Sequence, residues 1–155
     1  MTGIKFYRHL RYLAEKTRRA VEMLASDEEE DFEEHFNCPD TLSGYCARAS
    51  AMLSAELTKR GIGHRLVYSD WGHVHIDCHG YIMDVTATQF GNLPKVMVRR
   101  RETLEFICKP KEINISWWKK SRTFKTMYQL RRWQNKERWP YEQTVNEYDL
   151  EYMKL

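Results

Sequence analysis

Two short segments in the middle of the chain are joined by only two residues. His73-Val-His-Ile-Asp-Cys78 and Tyr81-Ile-Met-Asp-Val-Thr86 flank His79-Gly80. A two-residue connection containing glycine, between segments rich in β-branched and aromatic residues, predicts an antiparallel hairpin. The loop length then sets the register: Cys78 faces Tyr81, Asp77 faces Ile82, His75 faces Asp84 and His73 faces Thr86. Side chains alternate along a strand, so His73, His75, Asp77, Ile82, Asp84 and Thr86 share one face. Asp84 is opposite His75 and diagonal to His73, within reach of either imidazole.

Upstream, Cys46, Ala49, Ser50, Leu53 and Leu57 recur at helical spacing, and Gly61 supplies a stop. Cys38-Pro-Asp-Thr-Leu-Ser-Gly44 is the loop that leads in. Cys46 falls in the first helical turn, where unpaired N–H groups and the positive end of the helix dipole favour a thiolate. The plainer reading of the same residue is a small cysteine packed on the core side. Cysteine, histidine and carboxylate in this order suggest a nucleophile, its base and the group that orients the base.

The flanks read more simply. Phe6, Leu10, Leu13, Thr17, Val21 and Leu24 predict an amphipathic helix over Lys5–Ala25, stopped by Ser26. Asp27–Glu34 holds seven acids in eight positions. It reads as a solvated stretch, or as an acidic lip that repels anions or docks the basic tail. His64–Ser69 predicts a strand, Asp70-Trp71-Gly72 a turn, and Gln89–Pro94 a loop. Lys95–Val98 and Leu104–Cys108 are further strand candidates, and Ser116–Asn135 reads as a helix ended before Pro140. Between Lys95 and Arg138 there are fourteen Lys or Arg against four Glu, followed by an acidic, tyrosine-rich tail.

A length of 155 residues fits one domain. Its expected parts are a helical segment over 1–36, a catalytic core over about 37–108, and a basic, aromatic helical extension over about 112–155. The N-terminal stretch has no uninterrupted apolar run, so neither a signal peptide nor a membrane span is expected. Cys38, Cys46, Cys78 and Cys108 show no CxxC spacing. They are expected to be thiols, in a cytoplasmic protein, and the small size and basic flank suit bacterial or phage origin.

The pattern Cys46-x-x-x-Ser50-x-x-Leu53-x-x-x-Leu57-x-x-x-Gly61-Ile62, followed by His73-Val-His-Ile-Asp77 and Gly80-Tyr-Ile-Met-Asp84-Val-Thr86, resembles the transglutaminase-like branch of the papain-like cysteine enzymes. The resemblance spans residues 44–90. Asp84-x-Thr86 matches the family's Asp-x-Thr directly, and Asp77 stands where Glu is usual. Two departures are His75, in place of a customary tryptophan, and Tyr45, inserted between Gly44 and the cysteine. The resemblance implies an α+β fold with a papain-like core: the cysteine helix on an antiparallel sheet, with extra N- and C-terminal helices.

It also implies the chemistry. Cys46 would attack an amide or ester carbonyl to form a thioester, His73 would carry the proton, and Asp84 would hold the imidazole tautomer. His75 is the alternative base. The Cys46 N–H is one oxyanion donor. The family's upstream Gln or Trp donor is missing between Ala25 and Cys46, leaving Asn37, Thr41 or Tyr45. Trp71, Asp77, Thr86 and Gln89 are substrate-side candidates. No cofactor is required, and the expected partner is a protein or peptide offering an amide or a glutamine side chain. Hydrolysis asks least of the sequence, with transglutaminase or deamidase activity as variants.

Two other readings use the same residues. His73, His75, Asp84 and Cys46 could bind zinc, with His64, Cys78 and His79 enlarging the pool. Arg99–Arg101 and Lys119–Arg132, interleaved with Trp117, Trp118, Tyr128 and Trp133, could hold nucleic acid on an inert version of the fold.

Overall fold

The computed structural model describes residues 3–28, 45–69, 72–90, 93–104, 118–120, 122–137 and 147–154. Of the stripe read from the sequence, helix α1 (Gly3–Glu28) buries Leu10, Leu13, Thr17, Val21 and Leu24, and Phe6 is half-buried. The helix runs past Ser26, because Glu28 is drawn into an ion pair with Arg48. Helix α2 (Cys46–Lys59) packs against α1 and β2 and buries Ala49, Met52, Leu53 and Leu57 in the shared core. It ends as its sequence predicts. Gly61 takes φ +69°, Ile62 N–H donates to the Leu57 carbonyl at 2.9 Å, and Gly61 N–H donates to that of Thr58 at 3.0 Å. This is the Schellman arrangement.

Five strands among the described residues form one antiparallel sheet: β1 (Arg65–Tyr68), β2 (Val74–Cys78), β3 (Tyr81–Asp84), β4 (Met97–Arg100) and β5 (Arg122–Phe124). Their spatial order is β4-β3-β2-β1-β5. The central hairpin has the register the two-residue loop dictates, with Cys78 opposite Tyr81, Asp77 opposite Ile82 and Ile76 opposite Met83. His79 and Gly80 both have positive φ, 50° and 84°, as a tight primed turn requires.

The sheet separates two apolar layers. Leu66, Tyr68, Val74, Ile76, Cys78, Met83 and Val98 face the helices, while Ile82, Met97, Leu104 and Trp118 form a smaller cluster on the other side. The fold is therefore α+β.

Three further expectations need correction. The strand placed at Lys95–Val98 lies two residues later, at Met97–Arg100, where Tyr81 to Asp84 supply its pairing partners. Leu104 follows a 3₁₀ turn over Arg101–Thr103 and is no strand residue; the rest of the Leu104–Cys108 candidate lies outside the described residues. The helix expected from Ser116 begins only at Met127, as α3 (Met127–Glu137). Ahead of it, Arg122–Phe124 pairs with Tyr68–Leu66 and covers that edge of β1.

Thr126 marks the true start of α3. Gln129 N–H donates to Thr126 Oγ1 at 3.2 Å, and Gln129 Oε1 accepts from Lys125 N–H at 3.0 Å. A short helix, α4 (Glu147–Glu151), and a 3₁₀ turn, Tyr152–Lys154, return to α1.

Gly80→Ala tests the hairpin. The added Cβ would stand 3.7 Å from Arg100 Nη1, an ordinary contact, so only the backbone conformation penalises it. A loss of about 1 kcal/mol is expected in denaturant unfolding, and an unchanged midpoint would show that the turn tolerates another geometry.

Candidate functional site

The site forms where the first turn of α2 meets the start of β2 and the end of β3. His73 immediately precedes β2 and is 3% exposed, and Asp84 closes β3 at 2% exposed. His73 Nε2 and Asp84 Oδ2 are 2.6 Å apart. A carboxylate only accepts, so Nε2 carries the proton and Nδ1 is left for the thiol. Cys46, at the first position of α2, is placed where His73 and the Val74 backbone N–H both act on its thiol. Ser50, one turn on, donates to the Val74 carbonyl at 3.1 Å and fastens α2 to the same strand.

The electrostatics follow from these contacts. Burial disfavours the Cys46 thiolate, but the hydrogen bond and charge of His73, with the Val74 N–H, outweigh it and lower the thiol below its ordinary value. Burial also opposes the His73 imidazolium. The charge and hydrogen bond of Asp84, then Cys46, nevertheless raise it to about 10. Asp84, against its own burial, is held well below the usual carboxylate range, chiefly by His73. The three groups thus favour a thiolate–imidazolium–carboxylate row.

Asp84 is held by more than histidine. Its Oδ1 accepts from Thr86 N–H at 2.9 Å and from Thr86 Oγ1 at 3.1 Å, and its Oδ2 accepts the Trp118 indole N–H at 2.7 Å. Trp118 is fully buried. Its carbonyl accepts Arg101 Nη1 at 2.6 Å, and its ring meets Phe90 edge-on at 5.6 Å. Phe90 also sets its edge against His73 at 4.7 Å. Nothing in the local pattern around Asp84 pointed to Trp118, which arrives from 34 residues downstream.

His75 is placed otherwise than its opposed position suggests. Asp84 takes the diagonal partner His73, and His75 stacks on His73 with centroids 5.8 Å apart. Both His75 ring nitrogens are buried without a hydrogen-bond partner among the described residues. Burial, then the charge of His73, pushes its pKa down to about 3, so the ring is neutral.

The remaining candidates divide. Gln89 Nε2 lies 3.5 Å from His73 Nδ1 and 3.2 Å from Thr86 Oγ1. Thr86 is buried and turns both its N–H and its hydroxyl toward Asp84. Asp77 is engaged by Arg101 at 3.1 Å and Lys120 at 2.8 Å. The Tyr45 hydroxyl donates to Glu28 at 2.8 Å, which takes it away from the thiol. Asn37, Thr41, Trp71 and Trp117, the cysteines Cys38 and Cys108, and positions 29–34 of the acidic run lie outside the described residues.

Arg48, two residues after Cys46, went unnoticed in the sequence. It grips Glu28 with Nη1 and Nη2, both at 2.7 Å, and Asp149 with Nη2 at 2.7 Å and Nε at 3.0 Å.

Of the zinc and nucleic-acid residues, His73 and His75 stack instead of converging. Among the described residues, no three His, Cys, Asp or Glu side chains are arranged to hold a metal ion. Arg99, Arg100, Lys119 and Arg132 are exposed. Trp118 is core, however, and Trp133 packs on Phe124 and Tyr68, which leaves Tyr128 as the exposed aromatic of that set among the described residues. Among the described residues no helix is long and apolar enough to cross a membrane. Comparison with protein-family models, curated proteins and solved structures finds no match.

Two substitutions probe this arrangement. The unfolded His75 imidazole protonates near pH 6.5, whereas the folded one resists down to about 3. The unfolded state therefore binds more protons in that window, and this residue's contribution to stability falls as pH drops through it. His75→Phe removes that loss, so the melting temperature of the variant relative to the native protein should rise steadily from pH 7 to pH 4. A flat difference would mean that His75 is not held neutral. Trp118→Phe keeps an aromatic ring but deletes one donor to Asp84. A loss of about 1.5–3 kcal/mol is expected by chemical denaturation, and a neutral result would remove Trp118 from the support of the carboxylate.

Proposed function

We propose that this protein is a thiol-dependent acyl-transfer enzyme, acting first as a hydrolase of amide bonds. The observation that carries the reading is the buried His73–Asp84 contact at 2.6 Å, with the same imidazole lowering the pKa of a cysteine at a helix start. The resemblance of residues 44–90 to the transglutaminase-like branch of the papain-like enzymes supports it, and a papain-like core is the finer description of the α+β fold we favour.

In this mechanism the Cys46 thiolate attacks a carbonyl carbon, and the carbonyl electron pair moves to oxygen. His73 then gives its Nδ1 proton to the leaving amine as the C–N bond breaks, leaving a Cys46 thioester. Water, deprotonated by His73, adds to the thioester carbon and expels the Cys46 thiolate, releasing the carboxylic acid and restoring the thiolate–imidazolium pair. Asp84 keeps the Nε2 proton in place and offsets the imidazolium charge throughout. An amine in place of water gives amine transfer, and a glutamine side chain as acyl donor gives deamidation. No residue role calls for a cofactor.

The test is the pH dependence of iodoacetamide labelling, with peptide mapping of the modified thiol. Cys46 should label well below the ordinary thiol range of about pH 8.5, and His73→Ala should move its labelling upward in pH. Cys78, whose burial pushes its pKa up to about 12, should stay unlabelled in the native protein. Labelling of Cys46 with an ordinary thiol profile, unmoved by His73→Ala, would end the proposal.

A further inference from the structure

The proposed chemistry creates a negative oxygen that needs donors. The Cys46 N–H, at the first position of α2, has no intrahelical acceptor and supplies one. Among the upstream candidates for a second, the Tyr45 hydroxyl is spent on Glu28. We propose that the second donor comes from downstream: the side-chain amide of Gln89 stabilises the oxyanion formed at the Cys46-bound carbonyl carbon. This inference rests on the acyl-transfer reading above.

The hydrogen bonds around Gln89 orient its amide. Thr86 has one hydroxyl proton, and its Oγ1 stands 3.1 Å from the acceptor-only Asp84 carboxylate. That proton goes to Asp84. Whatever Gln89 presents to Thr86 Oγ1 at 3.2 Å must then be a donor, which places the NH₂ group there and fixes the flip of the amide.

One of its two N–H bonds is used by Thr86. The other lies on the side of His73 Nδ1, at a nitrogen–nitrogen separation of 3.5 Å, too long for a strong bond. Nδ1 is also the nitrogen that serves the thiol. The second N–H of Gln89 is thus anchored beside the reacting atoms and weakly committed, as a donor kept for a charge that appears only during reaction must be.

The 3₁₀ turn Ala87–Phe90 makes this placement possible. It folds the chain back directly after Thr86, with Gln89 N–H donating to the Thr86 carbonyl at 3.1 Å. It also seats Phe90 against the His73 ring. One turn therefore sets both the base and the donor.

Two probes separate this role from mere support of Asp84. 2,2′-Dithiodipyridine reacts by thiolate attack on sulfur: a mixed disulfide forms, pyridine-2-thiolate leaves, and no oxyanion arises. p-Nitrophenyl acetate acylates Cys46 through an oxyanion, then expels p-nitrophenolate as the thioester forms. Gln89→Met keeps side-chain length without a donor. It should slow p-nitrophenolate release from Cys46 about 100-fold or more, with the rate and pH midpoint of disulfide exchange retained.

Gln89→Ala should do the same if Met packs badly. A parallel loss in both reactions with a shifted pH midpoint would overturn the inference in favour of a positioning role, and unchanged acylation would overturn it outright. If the native protein releases p-nitrophenolate no faster than Cys46→Ala, the acyl-transfer reading itself fails and the role of Gln89 with it.

Discussion

A carboxylate buried to 2% exposure must be ionised at a large cost in solvation unless its surroundings replace water. Asp84 has four donors among the described residues: the His73 imidazole, the Thr86 N–H and hydroxyl, and the Trp118 indole. These come from the start of β2, the turn after β3, and the segment before β5. Satisfying one side chain therefore fixes the relative position of three parts of the chain. Arg18 adds a fourth from α1, donating to the Val85 carbonyl at 2.8 Å and to Thr88 at 3.0 Å, directly after the carboxylate.

The same charge separates two histidines that sequence places two residues apart. His73 touches Asp84 and is raised to about 10; His75, equally buried, has no bonded partner among the described residues and falls to about 3. Burial alone would neutralise both. One hydrogen-bonded counter-charge reverses that outcome for His73, and the imidazolium so created drives its neighbour further toward neutrality. Position relative to one carboxylate, and not residue type, decides which imidazole can exchange a proton with the thiol.

Much of this was legible because it is local. The two-residue loop at His79-Gly80 gave the register and the shared face, and the 3.6-residue spacing around Cys46 with Gly61 gave α2 and its end. The choice between His73 and His75 was less accessible, since both lie within reach of Asp84 on a flat register and only side-chain direction separates them. Trp118, Arg48 and Arg18 were invisible for another reason: their partners lie 34, 101 and 67 residues away, and no periodicity reports such pairings. The misread start of α3 differs from these, because Thr126-x-x-Gln129 is a helix-start signal available in the sequence. Aromatic and basic residues at helical spacing concealed it, together with the edge of β1 that needed a strand.

The Arg48 fork bears on how the molecule opens. Helix α4 has five residues, too few to be stable alone in water. Asp149 within it shares one guanidinium with Glu28, so release of α4 would leave Arg48 with a single counter-charge at the very turn that carries the thiol. Fraying at one end of the sequence is thereby coupled to the setting of a side chain a hundred residues earlier. Two charge-assisted hydrogen bonds from Arg48 to Asp149 thus tie the short helix to the first turn of α2.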